Sequence, residues 1–112
     1  AYKYMEDNMQ DGSNFNLIQN LADTDVAKLK HAQESYGDSW RSRGGVGAFM
    51  MLARKWDRIE NQVTKEGYDI FKTINNDPSS TGILDDIRDL RRYLLLVEGY
   101  VTDNWREEHN ND

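Results

Sequence analysis

The chain has no cysteine, one proline and two histidines in 112 residues. Without cysteine there is no disulfide, no thiolate metal site and no thiol nucleophile. With Pro78 as the only proline, helices elsewhere can run without the break that a missing N–H and a ring clash impose. No glycine-rich loop of the P-loop or dinucleotide type is present to cradle phosphate. No apolar run approaches the roughly 20 residues of a membrane span. The N-terminus is polar and acidic, so no secretory leader is expected. Basic residues are also in deficit. Lys and Arg number 14 against 20 Asp and Glu, a formal charge of −6. A surface that grips duplex DNA needs clustered cations, so no DNA duplex is expected as a partner.

What is present reads as one helical domain. Apolar residues make up 38% and charged residues 30%, with three Trp, six Tyr and three Phe. That balance is globular, and the length suits a single core. The expectation is a single domain over 1–112, with 1–13 and 103–112 flexible. Phe15, Leu17, Ile18 and Leu21 suggest a short first helix. Asp23 or Thr24 can cap a second, whose stripe is Val26, Leu29, Ala32 and Tyr36 and whose stop is Gly37. From Val46 to about Val63, the residues Phe49, Leu52, Trp56, Ile59 and Val63 recur at spacings of three and four. Gly67 ends that helix. Tyr68 to Ile74 forms a short helix or an extended piece, and 75–79 is a turn. Ser80 or Thr81 can cap the last helix, which starts near Gly82. Its stripe is Ile83, Ile87, Leu90, Leu94, Val97 and Val101. Leu84, Leu95 and Leu96 fall outside that stripe, which suggests apolar surface buried against another copy.

The chemistry lies in acidic pairs on the two long helices. The first is Asp57-Arg58-Ile59-Glu60 and the second is Leu84-Asp85-Asp86-Ile87-Arg88-Asp89-Leu90. Carboxylates three or four residues apart share a helical face. Two such faces opposed across a helix pair would form an oxygen cage for Mg²⁺ or Mn²⁺. The same pairs also have plainer readings. They can be a solvated face, or be paired with Lys55 or Arg58, and Asp85 and Asp86 suit the first turn of a helix electrostatically. Lys55 and Arg58, with Arg41 and Arg43 from the loop 38–45, are candidates to hold phosphate. Trp40, Tyr36 and Tyr93 are candidates to stack on a base, while Trp40 equally fits a core position closing the helix turn. His31 has no His, Cys or Asp neighbour in metal-ligand spacing, and His109, among Glu107, Glu108 and Asn110, reads as solvated.

Three runs, in order, carry a resemblance: Ser35-Tyr36-Gly37-Asp38-Ser39-Trp40, Arg54-Lys55-Trp56-Asp57-Arg58-Ile59 and Asp85-Asp86-Ile87-Arg88-Asp89-Leu90-Arg91-Arg92-Tyr93. Over about residues 25–100 the chain resembles small phage and bacterial proteins of the MazG-like nucleoside triphosphate pyrophosphohydrolase superfamily. The resemblance implies an all-α bundle of MazG-like type completed by dimerisation, as a homodimer or homotetramer. It implies Mg²⁺ (or Mn²⁺) held by Asp57, Glu60, Asp86 and Asp89, with Asp85 in reserve, and Glu60 and Asp89 as catalytic residues. It implies hydrolysis of a dNTP to the monophosphate and pyrophosphate in the cytoplasm, of a bacterial host if phage-encoded. Three of those four acids are Asp where the family pattern favours Glu, and Ser80-Thr81-Gly82 stands where similar proteins carry a further Glu. The alternative is a helical protein that binds a nucleotide or a host protein without turning anything over.

Overall fold

The computed structural model describes residues 13–79 and 82–110, with side chains placed for 14–79 and 82–105. The fold is all-α, with no strand among the described residues. The helices are α1 (Ser13–Tyr36), α2 (Gly44–Thr64), α3 (Ile70–Asn75) and α4 (Gly82–Asn110), and Ser39–Arg41 forms a short 3₁₀ turn. The chain divides at Gly37 into two compact units, 1–37 and 38–112. The flexible segment expected at 1–13 falls, apart from Ser13, outside the described residues. At its C-terminal end α4 runs on to Asn110.

The first unit is one uninterrupted helix where the sequence suggests two. The anticipated caps turn inward instead. Asp23 accepts a hydrogen bond from Gln19 at 3.0 Å, and the Thr24 hydroxyl donates to the Asn20 carbonyl at 2.9 Å. Both bonds run back four residues along the same helix, Asp23's to a side chain and Thr24's to a backbone carbonyl, so neither residue caps a new helix. Phe15, Leu17, Ile18, Leu21 and Val26 are exposed. The helix ends at Gly37, whose φ of 59° lets its amide donate back to the Gln33 carbonyl at 2.9 Å.

The second unit is built on α2 and α4, which pack together, with α3 against both. The run of paired residues shows them antiparallel: Arg58 meets Asp86, Lys55 meets Asp89, and the start of α2 lies beside 97–101. At the C-terminus of α2, the Tyr68 amide donates to the Val63 carbonyl at 2.8 Å. Closing that turn places both Gly67 and Tyr68 in the left-handed region, at φ 66° and 65°. Asp69 caps α3 by accepting from the Lys72 amide at 3.1 Å. The cap expected at Ser80 or Thr81 lies outside the described residues. Within them, Ser79 accepts from the Gly82 amide at 3.0 Å and Asp77 from the Ile83 amide at 3.3 Å. These bonds occupy donors at the start of α4 that have no partner within the helix.

The core is small and sits at one end. Ile59 and Ile83 are the buried apolar residues among those described. The stripes named from the sequence do face inward near this end. Further along they open to solvent: Phe49 is 64% exposed and Val101 58%. Trp56, Leu94 and Leu95 are exposed as well.

Candidate functional site

The antiparallel crossing sets Lys55 and Arg58, one turn apart on α2, against Asp89 and Asp86, one turn apart on α4. Lys55 Nζ lies 2.9 Å from Asp89 Oδ2, and Arg58 Nε lies 2.9 Å from Asp86 Oδ1. Gln62, one turn beyond Arg58, donates from Nε2 to Asp86 Oδ2 at 3.2 Å. The Asp86 side chain is only 4% exposed, while the Arg58 side chain is 56% exposed. A buried carboxylate needs a cation or donors on its oxygens, and here each Asp86 oxygen has one. Asp89 is the open member of the quartet, with its side chain 42% exposed. Asp85 points away and pairs with Arg88 at 2.8 Å along its own helix.

The first acidic pair stands elsewhere. At about 100° per residue, Asp57 and Glu60 fall roughly 140–200° round α2 from Lys55. Both are exposed, and Glu60 accepts a hydrogen bond from Trp56 Nε1 at 2.9 Å. The two acidic pairs therefore do not face each other across the helix crossing. Among the described residues no three His, Asp or Glu side chains gather as a metal-binding group. What the crossing presents instead is a pair of carboxylates matched to a pair of cations.

The loop candidates lie at the other end of the helix pair. Trp40 packs edge-on to Tyr100, with ring centroids 6.0 Å apart and planes at 84°. The Arg41 guanidinium lies 4.6 Å from the Tyr100 ring centre and is held there by Asp38 at 2.9 Å. These contacts give Trp40 a partly buried place in an aromatic corner, as its plainer reading anticipates. They also line a cavity of about 460 Å³ with Phe49, Leu52 and the first residues of α2. Arg43 precedes α2 and is exposed. Tyr93 is partly buried on α4, and Tyr36 is exposed at the end of α1, in the other unit.

Gln62, Tyr100 and Asp38 are site residues the sequence reading passes over. Gln62 was detectable as the residue four beyond Arg58, on the same face. Tyr100 follows Asp89 and Tyr93 at helical spacing. Asp38 is a local partner three residues before Arg41. No family model matches the chain, and no curated protein or solved structure matches it.

Proposed function

We propose that the chain is a Mg²⁺-dependent nucleoside triphosphate pyrophosphohydrolase of MazG-like type, with its site at the quartet of Lys55, Arg58, Asp86 and Asp89. The observation that carries the reading is the matched set of two carboxylates and two cations along one face of the α2–α4 crossing. A magnesium–triphosphate complex carries the complementary set of charges. Mg²⁺ is commonly held by one or two carboxylates together with substrate phosphates, so Asp86 and Asp89 suffice as protein ligands without Asp57 and Glu60. When bound, the ion supplies charge neutralisation and an acidified water. Lys55 and Arg58, released from their carboxylates, turn to the phosphate oxygens. Asp89 is the more accessible acid and the one placed to take a proton from water. Arg41 and Arg43 lie at the far end of the helix pair and are secondary candidates for phosphate. Trp56, Leu94 and Leu95, exposed outside the cavity beside Trp40 and Tyr100, supply an apolar face for a second copy in a dimer or tetramer.

The test is release of pyrophosphate from a dNTP panel in Mg²⁺. The reading expects turnover in the parent and at least a hundredfold loss in Asp89→Asn with its helical content unchanged. The ion pairs also favour a second reading, in which the quartet is a permanent lock and the protein binds a nucleotide or protein without hydrolysis. Nucleotide binding without pyrophosphate release would support that reading and remove the first.

A further inference from the structure

We propose that the cavity between the 39–41 turn, the start of α2 and residues 97–101 of α4 seats the base of the nucleotide whose phosphates lie at the quartet. The inference rests on the function proposed above and adds the location and chemistry of base recognition. At about 460 Å³ the cavity is within the range of small-ligand sites. Its walls include three aromatic rings, Trp40, Phe49 and Tyr100, beside Leu52 and Val97, and Phe49 is left largely in water. A flat aromatic ring is the ligand such walls favour, because stacking and apolar burial act together.

The cavity and the quartet lie along the same faces of the two helices. On α4, Asp89, Tyr93, Val97 and Tyr100 follow at spacings of four, four and three, which is one helical face. On α2, Ala48, Leu52 and Lys55 do the same. At 1.5 Å rise per residue, the step from Phe49 to Lys55 is about 9 Å and that from Asp89 to Val97 about 12 Å. That is the scale of a nucleotide laid along the helices. Tyr93 and Leu52 lie between the two ends, where the sugar would rest.

The polar groups at the cavity are predominantly donors. Arg41 spends one amino group on Asp38 and keeps other N–H groups free to donate. The first amides of α2, at Gly44 and Gly45, have no acceptor within the helix, and no side chain caps them. A donor-rich wall favours a base edge rich in carbonyl oxygens. Guanine, thymine and uracil therefore bind better than adenine.

The test uses Gly45, which borders the cavity and where an added Cβ meets nothing within 4 Å. Gly45→Leu starts from an open Cβ position at the cavity edge and removes a helix-weakening glycine. Deoxynucleosides, Mg²⁺ with inorganic triphosphate, and Mg²⁺ with dNTPs are titrated against the full chain. Binding is followed by calorimetry and by Trp40 fluorescence in a Trp56→Phe/Trp105→Phe background. The proposal expects thymidine and deoxyguanosine to quench Trp40 and to bind at least fivefold tighter than deoxyadenosine. Gly45→Leu and Tyr100→Leu should each weaken nucleoside binding tenfold or more while leaving inorganic triphosphate unaffected. Triphosphate binding without any nucleoside binding would overturn the base site and leave the quartet standing. Nucleoside binding to which a triphosphate chain adds nothing would do the reverse. A change in oligomeric state in Gly45→Leu, without nucleoside binding in the parent, would assign the cavity to a second copy and overturn the proposal.

Discussion

At one end of the α2–α4 pair, Ile59 and Ile83 are buried and Asp86 is held by Arg58 and Gln62. At the other end, Phe49 and Val101 stand more than half exposed beside a cavity. The same two helices, with the same apolar periodicity, are closed in one place and open in the other. The difference follows from what meets each stripe. The closed end has α3 packed against both helices. At the open end, among the described residues, the 39–41 turn packs on α2, and its Trp40 and Arg41 close on Tyr100 and leave space behind. Stability should therefore concentrate at the closed end, and the open end should be free to change for binding.

The largest expected effect tests that division directly. Ile83 has no solvent exposure, and Ile83→Ala should cost about 3 kcal/mol through lost burial and a residual cavity. Val101→Ala, on the same stripe, should cost less than about 0.5 kcal/mol. Urea unfolding midpoints measure both, and equal losses would erase the distinction between the ends.

The two ion pairs grade the comparison more finely. Removing Arg58 leaves the buried Asp86 with Gln62 alone, so Arg58→Ala should cost about 2 kcal/mol. Lys55→Ala faces the more exposed Asp89 and should cost less than about 1 kcal/mol. A double-mutant cycle pairing each with its Asp→Asn partner should return a larger coupling for Arg58–Asp86. The opposite order would place the structural weight on the wrong pair.

A smaller gain is expected at Tyr68, which closes α2 at φ 65° without glycine's freedom. Tyr68→Gly should raise stability by up to about 1 kcal/mol, since relief of the left-handed strain exceeds the added entropy of the unfolded chain. An unchanged or lower unfolding midpoint would mean that the exposed ring makes contacts worth the strain.

The smallest effect appears only in acid. The Asp77 carboxyl is held below its ordinary value, chiefly by the Ser79 hydroxyl and then the Ser79 amide; burial opposes them, and the Ile83 and Gly82 amides add smaller help. Its folded value lies below its unfolded one. The stability it contributes is therefore complete above about pH 4 and is lost as pH falls through the lowered value. Thermal scans from neutral to strongly acid pH should show a steeper loss in the parent than in Asp77→Asn. Parallel curves would remove Asp77 from the cap.

Much of this architecture was legible in the sequence. The α2 and α4 stripes, the stop at Gly67 and the turn at 75–79 follow from local spacing and turn chemistry, and the structure has them. The break expected at Asp23–Thr24 failed because Thr24 bonds back to the Asn20 carbonyl and Asp23 accepts from the Gln19 side chain, and composition does not choose between these bonds and a cap. The alternatives for the acidic residues included pairing with Lys55 and Arg58, and for Asp86 and Asp89 that is what the crossing makes. The cage expected between Asp57–Glu60 and Asp86–Asp89 is not what the crossing makes, because facing depends on how far each helix is rotated about its axis, and spacing alone does not fix that. Periodicity places Glu60 at the edge of the apolar stripe. Only packing decides that Lys55, Arg58 and Gln62, from the other edge, turn toward α4. The Trp40–Tyr100 corner joins residues 60 apart in the chain, and no local pattern announces it.

The central claim is that the quartet exchanges its internal partners for a magnesium–triphosphate complex. It is tested most directly by melting the parent and Asp89→Asn with Mg²⁺ alone, with a non-hydrolysable dNTP alone, and with both. The account predicts that the two together stabilise the parent by well over the sum of the separate shifts. Saturation at a hundredfold over Kd corresponds to about 2.7 kcal/mol. It predicts that Asp89→Asn folds as the parent does and loses the excess. Separate shifts that merely add, or no shift at all in the parent, would contradict it and leave the quartet as a lock between two helices.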